Sequence, residues 1–305
     1  MDWPAEIAAA AARTRPHIRR TPVIETGLPG GGMAQLKLEN LQHTGSFKVR
    51  GAFNTLLSRP VPAAGVVAAS GGNHGAAVAY AARKLGHRAR IFVPELAGPA
   101  KIALIRAQGA DLEVVPGVYA DAAARAIAHA EATGALQIHP YDAPATVAGQ
   151  GSLMREWEEQ ALEADTVMIA VGGGGLIAGA LAWLQGRRRV VAVEPELAPT
   201  LHEALKHGPE TTVSVGGIAA NALGASRIGR ICHGLASRHA VQPLLVSDAA
   251  IAAAQRMLWQ DLRQLVEPAG ATALAALLSG LYRPAPGERV AVLVCGANPA
   301  PDPLE

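Results

Sequence analysis

The strongest constraint on this chain is an alternation. Short apolar runs trade places with longer stretches of helical periodicity along most of its length. Residues 66–69 read as a strand, 74–85 as a helix, 89–93 as a strand and 99–108 as a helix closed by Gly109. Residues 112–115 read as a strand, 120–133 as a helix closed by Gly134, and 136–138 as a strand. A second series follows: strand 166–171, helix 176–184, strand 190–193, an irregular stretch, strand 241–246, a helix from Asp248 to about Leu265, a helix after Gly270, and strand 290–295. Strands that alternate with helices build parallel sheets through crossover connections. The expected fold class is α/β, with two parallel-sheet domains. Residues 1–57 join 143–305 in the larger, because the first sheet only begins near Val66, and residues 58–142 form the smaller. A cleft between such domains, at the carboxyl ends of the strands, is where ligands bind.

Composition narrows the partners. The 305 residues are 50% hydrophobic, enough to bury a substantial core. The formal charge is +2 and no long basic block occurs; the run 187–189 reads as a basic turn, so no nucleic-acid partner is expected. Cys232 and Cys295 are too far apart in sequence for a zinc or redox motif, and their number fits a reducing cytoplasm. The N-terminus lacks the charged-then-apolar pattern of a signal peptide. Residues 167–186 carry no charge, but four glycines in the middle would break a spanning helix. Strand, loop and buried helix is the better reading, and no membrane segment is expected.

Three segments carry chemistry. Gly172, Gly173, Gly174, Gly175 and Leu176 follow an apolar strand and open a helix. Glycines there let backbone N–H groups approach an anion, and the helix start adds favourable partial charge. The spacing is neither that of a dinucleotide fingerprint nor that of a P-loop. The bland alternative is a tight strand-to-helix turn. Ser70, Gly71, Gly72, Asn73 and His74 also lie between a strand and a helix. Their amides could hold a carboxylate; alternatively Asn73 caps the helix. Thr44, Gly45 and Ser46 read as a loop that leads into a helix over 48–57. A lysine at a helix N-terminus, beside apolar Phe47, is the wrong charge in the wrong place, which lowers its pKa. A neutral amine suits imine formation and general-base work. An ordinary surface lysine is the competing reading.

Together these segments resemble the fold-type-II pyridoxal-phosphate enzymes, and specifically the serine/threonine dehydratase and serine racemase branch. The matching strings are Leu38-Glu39-Asn40-Leu41-Gln42, Thr44-Gly45-Ser46-Phe47-Lys48-Val49-Arg50-Gly51-Ala52, Gly72-Asn73-His74-Gly75, Ile138-His139-Pro140-Tyr141-Asp142, Ala148-Gly149-Gln150-Gly151, the tetraglycine loop, Val193-Glu194-Pro195 and Val266-Glu267-Pro268-Ala269-Gly270. They span about Thr21 to Asn298. The resemblance implies two domains of the tryptophan synthase beta-like type, the larger holding the cofactor and the smaller carrying the substrate loop. It implies pyridoxal 5'-phosphate on Lys48 as a Schiff base, Phe47 beside the ring, Asn73 on the ring hydroxyl oxygen, and Gly172 to Leu176 around the phosphate. Ser70, Gly71, Gly72, Asn73 and His74 would bind the substrate, and Glu267 is a further candidate at the site. Cys295 falls where this branch places a neutral Ser or Cys facing the pyridine nitrogen, which favours β-elimination over a long-lived carbanion. The implied activity is a dehydratase (ammonia-lyase) that turns a β-hydroxy amino acid such as L-serine or L-threonine into a 2-oxo acid and ammonia. A racemase or another β-eliminating lyase of the same fold is the alternative. A homodimer is expected from the resemblance alone.

The sequence also departs from the branch. Racemases place a Ser directly before Gly-Asn-His as a second base; here the residue is Gly71, which weakens the racemase reading and is expected to leave room for a bulkier β-substituent. Many relatives bind a divalent cation at positions equivalent to Glu194, Ala198 and Thr200; a neutral Thr200 replaces the carboxylate a hard cation prefers, so no metal is expected and Glu194 reads as structural. The segment 214–219 lacks an Asp-Gly that relatives often carry. The chain ends soon after Cys295, so the feedback domain of biosynthetic threonine dehydratases is not expected. His139 reads as a structural loop residue, and His74 as shaping the carboxylate loop through its backbone.

Overall fold

The computed structural model of the protein describes residues 1–28 and 31–298. The chain opens with α1 (Trp3–Thr14), then β1 (Val23–Gly27), β2 (Met33–Leu38) and α2 (Lys48–Leu57). A run of crossovers follows: β3 (Val66–Ala69), α3 (Asn73–Lys84), β4 (Ala89–Pro94), α4 (Pro99–Arg106), β5 (Asp111–Val115), α5 (Tyr119–Thr133) and β6 (Leu136–Gln137). A second run holds α6 (Pro144–Glu158), β7 (Thr166–Ala170), α7 (Gly175–Leu184), β8 (Arg189–Pro195), α8 (Thr200–His207), α9 (Ala220–Leu223), α10 (Arg230–Arg238), β9 (Gln242–Val246), α11 (Asp248–Leu262), α12 (Pro268–Leu278) and β10 (Val290–Val294).

Two sheets result. The order β5-β4-β3-β6 is parallel throughout. The order β1-β2-β10-β7-β8-β9 is parallel except for the antiparallel β1–β2 pair at one edge. β7 and β10 are buried at every residue, which is why they read as unbroken apolar runs.

The N-terminal segment divides between the two halves. β1 and β2 pair into the larger sheet, but α2 sends Val49, Ala52, Phe53 and Leu56 into the core of the smaller one. The irregular stretch before β9 holds three helices, α8, α9 and α10. Ends also move: α3 starts one residue earlier than the pattern suggests, α11 stops at Leu262 and α12 starts at Pro268.

Helix α6 sets the spacing of the parts that matter. A Cβ on its Gly149 would stand 2.6 Å from Arg50 O of α2, and one on Gly179 of α7 would stand 2.5 Å from Gly151 N. Only glycine permits these approaches. The same α2 is tied down by buried charge. Arg50 donates to both oxygens of Glu39 at 2.8 and 2.7 Å and to Glu156 at 3.0 Å. Lys37 donates to Glu156 at 2.6 Å and to Gln160 at 2.6 Å. Arg50, Glu39 and Lys37 are all fully buried.

Candidate active site

The carboxyl ends of β3, β7 and β10 converge on one cleft. Its lining includes Phe47, Lys48, Asn73, Gly172, Gly173, Gly174, Gly175, Leu176, Glu267 and Cys295. Residues scattered over the sequence are thus brought to one place, where an open parallel sheet puts its ligands.

Lys48 is the first residue of α2, following Phe47. Its loop is stitched onto the end of β10. Phe47 N donates to Cys295 O at 3.3 Å, Ala297 N to Gly45 O at 2.8 Å, and Asn298 Nδ2 to Thr44 O at 2.7 Å. Lys48 Nζ donates to Pro140 O at 3.0 Å. Burial pushes the amine down to about 8, with Cys295 and Glu267 pulling the other way. Lys48 is therefore no ordinary surface lysine, and near-neutral pH supplies a useful fraction of free amine.

The tetraglycine loop joins β7 to α7. Gly174 has φ +90°, and a Cβ there would meet Cys232 Sγ at 2.5 Å. A Cβ on Gly173 would overlap the Tyr141 ring, and one on Gly172 would stand 2.8 Å from Leu223 Cα. The loop is a cradle that side chains would fill. It opens α7, whose first N–H groups have no partner within the helix. That donor set suits a phosphate.

Asn73 is the first residue of α3 but makes no cap hydrogen bond; Gly72 holds the cap position. Its side chain instead crosses the cleft. Nδ2 donates to Glu267 Oε1 at 2.5 Å and Oδ1 accepts from Asn298 Nδ2 at 2.7 Å. Glu267 is 2% exposed, and burial pushes its carboxyl up to about 6. Cys295 Sγ donates to Ala269 O at 3.4 Å, and burial pushes the thiol well up, so it stays neutral.

The remaining sequence candidates fall as follows. Ser70 Oγ accepts from Gly72 N at 3.2 Å, folding the loop over 70–72 back on itself. His74 does more than lend its backbone: Nε2 contacts Ile138 O at 3.0 Å, and burial holds it neutral with a pKa of about 3. His139 Nδ1 accepts from Asp142 N at 2.8 Å, as a loop-shaping residue would. Gly71 does not open space: a Cβ there would stand 2.6 Å from the Ala97 side chain, so Ala97 already fills that direction. Glu194 uses both oxygens as acceptors for Leu201 N and His202 N at 2.6 and 2.8 Å, holding the start of α8. Thr200 Oγ1 donates to Ala225 O at 2.8 Å. In the segment 214–219, Ile218 N donates to Asp248 Oδ2 at 3.2 Å, so a distant carboxylate anchors it.

Sequence reasoning missed part of the lining. Tyr141, Ala222 and Leu223 face the cleft. Tyr141 lies within one of the matching strings but carries no role there; α9, which bears the other two, is not among the expected helices.

The chain matches the family model described as pyridoxal-phosphate dependent enzyme over residues 14–296. It belongs to that family. It is 38% identical to a phenylserine dehydratase of Ralstonia pickettii over 302 residues, covering 96% of this chain and 92% of the relative. It is 35% identical to an L-threonine ammonia-lyase of Geobacter sulfurreducens over 302 residues, covering 95% and 74%. A crystal structure of the threonine deaminase from T.th. superposes with a TM-score of 0.90 at 34% identity, covering 98% of this chain and 99% of that one. The α/β fold is that of the fold-type-II branch, the cofactor is pyridoxal phosphate, and the enzyme is an ammonia-lyase of the dehydratase type. The site fits that cofactor: a glycine cradle for the phosphate, a depressed lysine for the carbonyl carbon, and a neutral thiol across the cleft. No described helix is long and apolar enough to cross a membrane.

Proposed function

We propose that this enzyme removes water from a β-hydroxy amino acid and releases a 2-oxo acid and ammonia, with Lys48 as the lysine that bears the cofactor and moves the α-proton. The observation that carries the reading is Lys48 Nζ, depressed to about 8 and lining the cleft beside the glycine cradle. The bound cofactor supplies an electron sink for the α-carbon. The protein supplies the rest. Gly172 to Leu176 hold the phosphate. Ser70 to His74 hold the substrate carboxylate through backbone amides. Asn73 would hold the ring oxygen, Phe47 would pack beside the ring, and the neutral Cys295 thiol would leave the ring nitrogen without a positive charge. Lys48 accepts the α-proton from one face. Gly71 carries no hydroxyl that could serve as a second proton donor, so elimination would be favoured over inversion.

Support for the dehydratase reading comes from the named relatives, which act on different β-substituents. Release of 2-oxo acid from phenylserine, threonine, serine and β-hydroxyaspartate, followed by chiral analysis of the remaining substrate, tests it. Elimination should outrun inversion; faster inversion than keto-acid formation would replace this reading with a racemase.

We also propose the domain division 1–57 with 143–305 for the cofactor half and 58–142 for the substrate-loop half. The sheet pairings support it, with α2 as the shared helix. A cytoplasmic homodimer without a divalent cation completes the proposal. Two free buried cysteines fit the compartment, and the occupied Glu194 oxygens fit the lack of a cation. Light scattering of the purified protein reads the oligomeric state.

A further inference from the structure

One charged side chain beside the cleft has no part in the arrangement above. Lys101 lies in the first turn of α4, is 3% exposed, and its Nζ has no hydrogen-bond partner. An ammonium taken out of water without hydrogen bonds is costly and calls for a compensating charge. The helix start adds to the cost, since it disfavours positive charge. The one carboxylate within 4.0 Å among the described residues is Glu267, through Oε2. A Cβ on Gly72 would stand 3.4 Å from Nζ, so Lys101 reaches this spot directly behind the substrate loop.

Glu267 stands between Lys101 and the cleft. Its Oε1 accepts from Asn73 Nδ2, and Asn298 Nδ2 donates to Asn73 Oδ1. A Cβ on Gly296 would overlap Oε1, so the carboxylate lies flat against that backbone. An ionised carboxylate only accepts. While Glu267 is charged, the NH2 end of Asn73 must face it, and the amide has one orientation. A protonated carboxyl can donate as well as accept, so the selection at the Nδ2 end is lost and only the Asn298 Nδ2 contact to Oδ1 still holds the amide.

We infer that Lys101 is a positioning residue: it keeps Glu267 in its charged form, and through Glu267 it fixes which way the Asn73 amide faces the cofactor. The second half rests on the reading of Asn73 given above. The groups that face Glu267 are Lys101 from α4, Asn73 from α3, Lys48 from α2 and Cys295 from the end of β10. Burial raises the Glu267 carboxyl, and Lys101 heads the influences that oppose it, followed by the Asn73 hydrogen bond and Lys48. Lys101 is lowered by burial in turn, with Glu267 pulling it back. The two partners therefore support each other's charged forms.

The test is a titration of the holoenzyme between about pH 4.5 and 8.5, a window set by the shifted carboxyl. The infrared carbonyl stretch of protonated Glu267, identified by its loss in Glu267→Gln, reports ionisation without reference to turnover. The acid limb of kcat is followed in parallel. Lys101→Met and Lys101→Gln remove the charge with different shapes. Each should raise the infrared midpoint by about one unit, about a tenfold change in the protonation equilibrium. The acid limb of kcat should move with it, and Lys101→Arg should return both. An infrared midpoint that stays put in both neutral variants overturns the proposal. A shifted midpoint with an unmoved acid limb overturns the link to Asn73. If no β-hydroxy amino acid is turned over, the functional reading fails, yet the infrared titration still decides the role of Lys101.

Discussion

At the scale of single residues, the site is a set of side chains whose ordinary chemistry burial has altered. Lys48 is the clearest. In the proposed role the free amine would capture the cofactor, and its fraction grows as pH rises through about 8. The rate of cofactor uptake by apoenzyme should therefore climb across that value and level off above it, as stopped-flow absorbance would show. Lys48→Ala should take up no covalently held yellow cofactor and should lose about 10³-fold or more in 2-oxo acid release. His74 gives a second pH signature. Its pKa falls from 6.5 to about 3 on burial, so the unfolded chain binds a proton first as pH drops. The stability it contributes is intact above pH 6.5 and is lost on the way down toward 3, at up to about 1.4 kcal/mol per pH unit. His74→Gln should flatten that slope in denaturant titrations. Lys48, Asn73 and the four glycines stood out in the sequence because each sits in a contiguous string with its own chemical reason, whereas Cys295 was singled out only through the family resemblance. Ala222 and Leu223 were not, because apolar residues on a one-turn helix carry no chemical signature, and Tyr141 was not, because nothing in its own string assigns it a role. Lys101 was not, because a buried lysine looks like any other until its surroundings are known.

At the scale of elements, close approach governs. The loop before α7 works because Gly174 takes φ +90° against Cys232. Gly174→Ala adds backbone strain of about 1–3 kcal/mol. Cofactor affinity should fall about tenfold or more, measured by titrating apoenzyme, if that strain is relieved by reshaping the loop. Helix α2 is held by the Arg50–Glu39 pair, both partners without solvent. Glu39→Gln should cost about 3–5 kcal/mol, seen as a lower midpoint in urea, because it leaves the Arg50 charge without its main partner. The alternation of strand and helix was readable because buried parallel strands are continuous apolar runs. Helix α6 went unassigned: its glycines depress helix propensity, and only the packing against α2 and α7 explains them. α8, α9 and α10 were hidden in a stretch rich in glycine and proline, where local preference and tertiary packing disagree.

For the whole molecule, two sheets meet with α2 as their common member. The helix that begins with Lys48 buries one side in the core of the smaller sheet and presses another on α6, next to the larger. The sequence led to the two-sheet plan and to the cleft, but assigned α2 to one side only, because periodicity shows which face of a helix is apolar and not which core it meets. The stitched loop before α2 has a consequence for how the molecule breathes. Residues 45–47 form no strand, yet Phe47 N is bonded to the end of β10, Ala297 N is bonded back to Gly45 O, and Ser46 bridges to Gly296. These amides should open only when the central strand itself opens. In native-state hydrogen exchange, the protons on Phe47 and Ala297 should thus be retained as long as those of β10, giving the segment before Lys48 the slow clock of the sheet core and not that of a surface loop.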